Sequence, residues 1–155
     1  MNIPEIKHFN LRVYALIIHD GHILLSDEFV HNTKMTKFPG GGLYFGEGPA
    51  DCLKREAIEE FGQEIEITEH YYTTHFFQKA LFYEDQQLIS IYYLARFPEA
   101  PRFMISDRPF DFPELTKDCQ SFRWAGINEL SENDLSFPID RFVINMLKSN
   151  AKPKY

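Results

Sequence analysis

Chemistry concentrates between residues 40 and 63. Glu56, Glu59 and Glu60 lie within five residues of one another, and at about 3.6 residues per helical turn their spacings of three and four place them on one stripe. Like charges at those spacings destabilise a helix, and Arg55, four residues before Glu59, can relieve only part of the repulsion. A hard divalent cation takes oxygen ligands, so Mg²⁺ or Mn²⁺ would neutralise the patch directly. Just upstream stand Gly40, Gly41 and Gly42. Without a Cβ, their backbone lets a ligand come close. Either feature alone has an ordinary reading: acidic stripes are usually solvated faces, and glycine runs usually make tight turns. Here they share one segment, with a further acid, Glu47, between them. Together they suggest a site for a cation and a phosphate.

These residues need a helix and a strand-rich frame. Pro49 to Phe61 reads as the helix, with proline suited to its first turn and Gly62 to the position just past its end. Ala50, Leu53, Ala57 and Phe61 form its apolar stripe. Before it, Leu11–Ile18 and Ile23–Leu25 flank Asp20-Gly21 and read as a β-hairpin. The stretch FVHNTKMTKFPGGG reads as a loop returning to the body. After the helix, two segments rich in β-branched and aromatic residues meet at Glu84-Asp85-Gln86, which reads as a hairpin tip. Pro98, Pro101, Pro109 and Pro113 then exclude a continuous helix or central strand, so Pro98 to Asp118 reads as one long loop. CQSFRWAGINEL reads as a strand running into a short helix, with Trp124 as a core anchor. FPIDRFVINMLK reads as a closing helix with Ile139, Phe142, Val143 and Met146 on its apolar face. The order predicts a mixed sheet with helices packed on it.

Length and composition narrow the class. A chain of 155 residues with 44% hydrophobic content is expected to form a single folded domain spanning 1–155, with its core over about 10–148. Its net charge of −7 speaks against an extended nucleic-acid surface or an anionic-membrane surface. Cys52 and Cys119 have neither metal-ligand spacing nor the pattern of a disulfide framework. No segment reads as a signal peptide or a membrane span, so a cytoplasmic location is expected.

The run from Gly41 through Glu47 to REAIEEFGQ (55–63) resembles the Nudix box of the MutT-like hydrolases. Gly41, Glu47, Arg55, Glu56, Glu59, Glu60 and Gly62 match that box position by position. Ala57 and Gln63 depart from it at two positions where bulky aliphatic residues serve packing. The resemblance implies a Nudix-type α/β/α sandwich with a mixed β-sheet. It also implies divalent-metal-dependent hydrolysis of the pyrophosphate in a nucleoside diphosphate linked to another moiety. Nucleoside triphosphates, nucleotide sugars such as ADP-ribose, and dinucleoside polyphosphates all qualify as the small-molecule partner. A homodimer is a further expectation from the family. Some ADP-ribose-cleaving relatives carry a proline shortly past the box; Phe76–Leu81 has none.

By the same resemblance, Glu56, Glu59 and Glu60 are metal ligands, joined by the Gly40 carbonyl. Glu47 is either an outer ligand or an orienting group. Glu56, Glu59 and Arg55 form the catalytic set, with Arg55 expected to hold Glu59 or Glu47 in place. The general base comes from Glu56 or Glu59, or from the long loop through Asp107, Asp111 or Glu114; Glu59 is preferred. Substrate contacts are expected from Arg12, Lys37, Gly41, Gly42 and Tyr44. Phe9, Phe45 and Tyr93 are further stacking candidates, and His31 and His75 are candidate cleft residues. The competing class is a non-catalytic Nudix-fold nucleotide or metabolite sensor. Such domains commonly lose box acids, and this sequence keeps Glu56, Glu59 and Glu60.

Overall fold

The computed structural model describes residues 4–115 and 118–150. Its strands are β1 (His8–His19), β2 (His22–Val30), β3 (Thr33–Lys37), β4 (Gly40–Gly42), β5 (Glu66–Thr73), β6 (Gln86–Arg96), β7 (Ile105–Ser106) and β8 (Cys119–Gly126). The helices are α1 (Pro49–Phe61) and α2 (Pro138–Ser149). Strand order along the sheet is β5-β6-β1-β2-β8-β7, with β3 added to β2 and β4 added to β1. β6 runs parallel to β1, whereas β5 and β6 are antiparallel, so the sheet is mixed.

Side-chain alternation along β1 explains the layers. Val13, Ala15 and Ile17 point to one face and pack with Leu53, Ala57 and Phe61 of α1. Tyr14 and Leu16 point to the other and pack with Ile139, Val143 and Ile144 of α2. All eleven of these side chains are buried because each face of the sheet is covered by a helix. The result is the expected α/β/α sandwich. None of the helices among the described residues is long and apolar enough to cross a membrane.

The hairpin expected around Asp20-Gly21 pairs only at its tip, through Ile18↔Ile23 and His19↔His22. Beyond the tip the two strands part. β1 continues with β6 and β4, while β2 continues with β3 and β8. The stretch FVHNTKMTKFPGGG fills the opening. It was expected to be loop, but it forms β3 on one arm and β4 on the other, with Phe38-Pro39 crossing between them. Its polar residues hid a strand whose partner lies on one side only. The crossing is pinned by the Ala15 N–H donating to the Pro39 carbonyl at 2.8 Å.

Helix α1 keeps its expected bounds. The Asp51 carboxylate accepts the Gly48 N–H at 2.9 Å at its start, and Gly62 closes it in the left-handed conformation. Its buried face differs in one place, since Ala50 is exposed and Cys52 is fully buried beside Leu53. Gln63 is polar in a buried position because its side chain has partners. Its Oε1 accepts the Arg102 N–H at 2.7 Å and so fastens the start of the long loop. That loop is irregular except for β7, which pairs parallel with β8. Residues 116 and 117 of the loop lie outside the described residues. Glu84-Asp85 forms the expected turn into β6. β5 ends earlier, at Thr73, leaving a longer connection than a simple hairpin. After β8, the expected short helix is a turn followed by a 3-10 turn at Glu132–Asp134. Phe142 is half-buried on α2, and Trp124 is half-buried against the α1-side core.

Candidate active site

Strand β4 passes beneath the first turns of α1, and Arg55 ties the two together. Its Nε and Nη2 donate to Glu47 Oε2 and Oε1 at 3.0 and 2.7 Å. Nη1 donates to Glu56 Oε1 at 3.0 Å and Glu59 Oε2 at 3.2 Å, and Nη2 donates to the Gly42 carbonyl at 2.9 Å. A planar five-donor guanidinium can serve this many oxygens at once; an ammonium cannot. Hydrogen bonding from Arg55 holds the Glu47 carboxyl down at about 2. The Tyr44 ring lies 3.8 Å from the guanidinium carbon and acts as its platform.

Two glycines are needed here for space. A Cβ on Gly41 would fall 2.1 Å from Glu56 Oε1, so the missing side chain is where the carboxylate lies against the strand. Gly40 has φ of 144°, and a Cβ there would fall 2.1 Å from the Val13 carbonyl oxygen.

Glu60 belongs to a second set of groups, on the inner side of the same strand. Lys37 is buried, and its ammonium meets Glu28 Oε2 at 2.9 Å, the Gly40 carbonyl at 3.2 Å and the Phe38 carbonyl at 3.3 Å. Burial alone would lower the pKa of Lys37, but the charges of Glu28 and Glu60 outweigh it and raise it. Ser26 Oγ donates to Glu28 Oε2 at 3.0 Å. Gln120 Nε2 donates both to Ser26 Oγ at 3.0 Å and to Glu60 Oε1 at 3.2 Å. Glu60 Oε2 is shut off from solvent without a hydrogen-bond partner among the described residues. Burial pushes the Glu60 carboxyl up to about 7, with Lys37 opposing and Glu28 reinforcing the rise.

The expected acids therefore divide. Glu47, Glu56 and Glu59 gather on Arg55, whereas Glu60 faces Gln120 and lies within Coulombic reach of Lys37. Among the described residues, no three acidic, His or Cys side chains converge on one point, because the guanidinium stands between the members of the first group.

A cavity of about 260 Å³ opens on the α2 side of the splayed strands. Arg12, Glu28 and Lys37 line its inner end, and His31, Leu81 and Phe82 line its apolar rim. Arg12 Nε donates to Tyr14 Oη at 3.3 Å. Its Nη1 sits 3.5 Å from where a Gly42 Cβ would be. Among the described residues it has no carboxylate within ion-pair distance, unlike Lys37. Asp140, at the start of α2, also lines this cavity and accepts the Tyr92 hydroxyl at 2.5 Å. Burial pushes its carboxyl up to about 6. Sequence reasoning missed Glu28, Gln120 and Asp140. An acid near a helix start, or a polar residue on a strand, carries no mark of the cavity it faces.

The remaining candidates are scattered. Asp111 is bound by Ser106 Oγ at 2.6 Å and by Arg108, and borders a second cavity of about 240 Å³ that Glu60 also lines. Asp107 and Glu114 are exposed, as are Phe9, Tyr44 and Phe45. His31 stacks on Phe82 at the cavity rim, while His75 is bonded to the Tyr72 hydroxyl. Tyr93 packs on the α1 side, away from the cavity.

This mixed-sheet sandwich with a glycine strand under an acidic helix defines a hydrolase fold of known class. The NUDIX domain model matches residues 8–145, and the chain belongs to that family. It is an enzyme of the Nudix pyrophosphohydrolase type. Similar solved structures include a NUDIX hydrolase from Nitrosomonas europaea, 19% identical, with a TM-score of 0.70 over 96% of this chain and 97% of that one. A MutT NUDIX hydrolase from Burkholderia pseudomallei is 19% identical, with a TM-score of 0.67 over 90% and 98%. An ADP-ribose pyrophosphatase from Streptococcus suis is 15% identical, with a TM-score of 0.57 over 94% and 96%. At these identities the likeness is one of fold. No curated protein matches the chain by sequence.

Proposed function

We propose that this chain hydrolyses the pyrophosphate of a nucleoside diphosphate derivative, using a divalent cation, Mg²⁺ or Mn²⁺, held by Glu60, Glu56, Glu59 and the Gly40 carbonyl. The observation that carries the reading is Glu60. A carboxylate oxygen closed off from water and without a partner is costly unless a cation reaches it. The donors on offer are carboxylate and carbonyl oxygens, the set that hard cations take.

Such an ion would supply polarisation of phosphoryl oxygens and acidify the attacking water. The chain's own groups do the rest. Arg12, which among the described residues has no carboxylate within ion-pair distance, binds phosphate at the inner end of the cavity, and the cavity takes the group beyond it. Gly42, beside the Arg12 guanidinium, lets the phosphates approach the strand, while Gly41 makes room for the Glu56 carboxylate. Glu59 is the most exposed of the box acids. Held by Arg55 through one oxygen, it is positioned to accept a proton from the attacking water. Glu47 orients Arg55 and does not touch the reaction.

A screen of nucleoside triphosphates, nucleotide sugars and dinucleoside polyphosphates, with Mg²⁺ and with Mn²⁺, tests this beside Glu60→Gln. Turnover by the wild type and its loss in Glu60→Gln are expected. Equal turnover by the two would remove Glu60 from the metal site. The ion should also bind more tightly as pH rises through about 7, because it must displace a proton from Glu60. Calorimetric titration at pH 6 and pH 8 measures that difference.

A further inference from the structure

We propose that the Lys37 ammonium is a built-in competitor for the divalent cation, holding the Gly40 carbonyl and screening Glu60 when the ion is absent and so limiting how tightly the ion binds. The inference rests on the metal site proposed above. Lys37 is well placed for the role and poorly placed to bind phosphate. Its three N–H donors face three acceptors, Glu28 Oε2, the Gly40 carbonyl and the Phe38 carbonyl, so none remains for a ligand. One of those acceptors is a proposed metal ligand. Another proposed ligand, Glu60, lies within Coulombic reach of the ammonium and has an oxygen with no hydrogen-bond partner among the described residues.

The position follows from the fold. Lys37 is the last residue of β3, and Gly40 is the first of β4. Phe38-Pro39 carries the chain across the opening between the two arms of the sheet, which brings the ammonium back under the Gly40 carbonyl. Glu28, facing it from β2, keeps the ammonium charged despite burial. A fixed positive charge near a site for a second positive charge weakens that site, and screening is slight so far from solvent.

Lys37→Met and Lys37→Gln remove the charge; the glutamine keeps amide donors for the carbonyls if the methionine variant does not fold. Lys54→Gln removes an exposed lysine from α1 and controls for net charge. Mn²⁺ binding is read from the free-ion electron spin resonance signal, and thermal unfolding is followed with and without Mn²⁺. Both Lys37 variants should bind Mn²⁺ about tenfold more tightly or better, and Mn²⁺ should raise their Tm more than it raises that of the wild type. Lys54→Gln should match the wild type. Unchanged or weaker Mn²⁺ binding in the Lys37 variants would overturn the proposal, as would equal tightening in Lys54→Gln. Mn²⁺ binding that survives Glu60→Gln in the wild-type background, or absence of binding in every variant, would instead overturn the metal site itself.

Discussion

Arg55 and Lys37 are both cations set among carboxylates, and each donates to a carbonyl of the same three-residue strand: Arg55 to Gly42, Lys37 to Gly40. They differ in what surrounds them. Arg55 is partly open to solvent and collects three acids, two of them on its own helix. Lys37 is closed off and meets one acid, supplied by a neighbouring strand. The first cluster orders side chains that are close in sequence. The second exists only because β2, β3 and β4 meet where the hairpin splits. One helix thus presents acids to two different counter-ions, and Glu60 alone is left with an oxygen that neither satisfies.

Breaking each side should have distinct consequences. The largest loss is expected for Glu60→Gln, with turnover falling by roughly a hundredfold or more while the fold is retained; initial rates with saturating Mg²⁺ measure it. Arg55→Lys comes next, since an ammonium cannot serve Glu47, Glu56, Glu59 and Gly42 together. Turnover should fall by about 10–100-fold, with a smaller change in Tm. Retention of full activity would show that the acids hold their places unaided.

The two glycines separate position from stability. Gly41→Ala meets only the end of the Glu56 side chain, so it should displace that carboxylate and lower turnover by about tenfold with little effect on Tm. Gly40→Ala meets backbone and a φ that L residues rarely adopt. It should destabilise the fold by about 2–4 kcal/mol, seen in urea unfolding. The reverse order would mean that β4 is held by α1 and not by β1.

The smallest effect concerns Asp140. Its carboxyl is raised to about 6 in the fold, above the usual aspartate value near 3.8, so the folded protein binds the proton more tightly than the unfolded chain. Burial raises it, against the Tyr92 hydroxyl, the charges of Lys37 and Arg12 and the Phe38 backbone N–H. Its contribution to stability is full below about pH 4 and is lost as pH rises through 6. Asp140→Asn keeps an acceptor for the Tyr92 hydroxyl and should flatten that dependence by about 1–3 kcal/mol, measured as Tm between pH 4 and pH 8.

Much of this was legible in advance, and the reason is local. Helix α1 announces itself through Pro49, its periodic apolar residues and Gly62, and Arg55 lies four residues from Glu59, so their contact follows from helix geometry. The strand at 33–37 was not legible. Thr33, Lys34 and Thr36 lack the alternation of a half-buried strand, and pairing with β2 decides their conformation. The exchange of Ala50 for Cys52 on the buried face of α1 likewise depends on how the helix is rotated over the sheet. Polar Gln63 in a buried position could be explained only once Glu99 and Arg102 of the long loop were found beside it.

Local spacing is enough for the acidic helix, the glycines ahead of it and the Arg55–Glu59 pair, because each rests on separations of a few residues. Only the packing of separate elements sets Lys37 against Glu28, brings Gln120 to Glu60, and places Asp140 in the cavity behind Arg12. Those contacts join residues from β1, β2, β3, β8, α1 and α2. No short-range pattern encodes them, since they depend on where a splayed pair of strands leaves room for a buried charge.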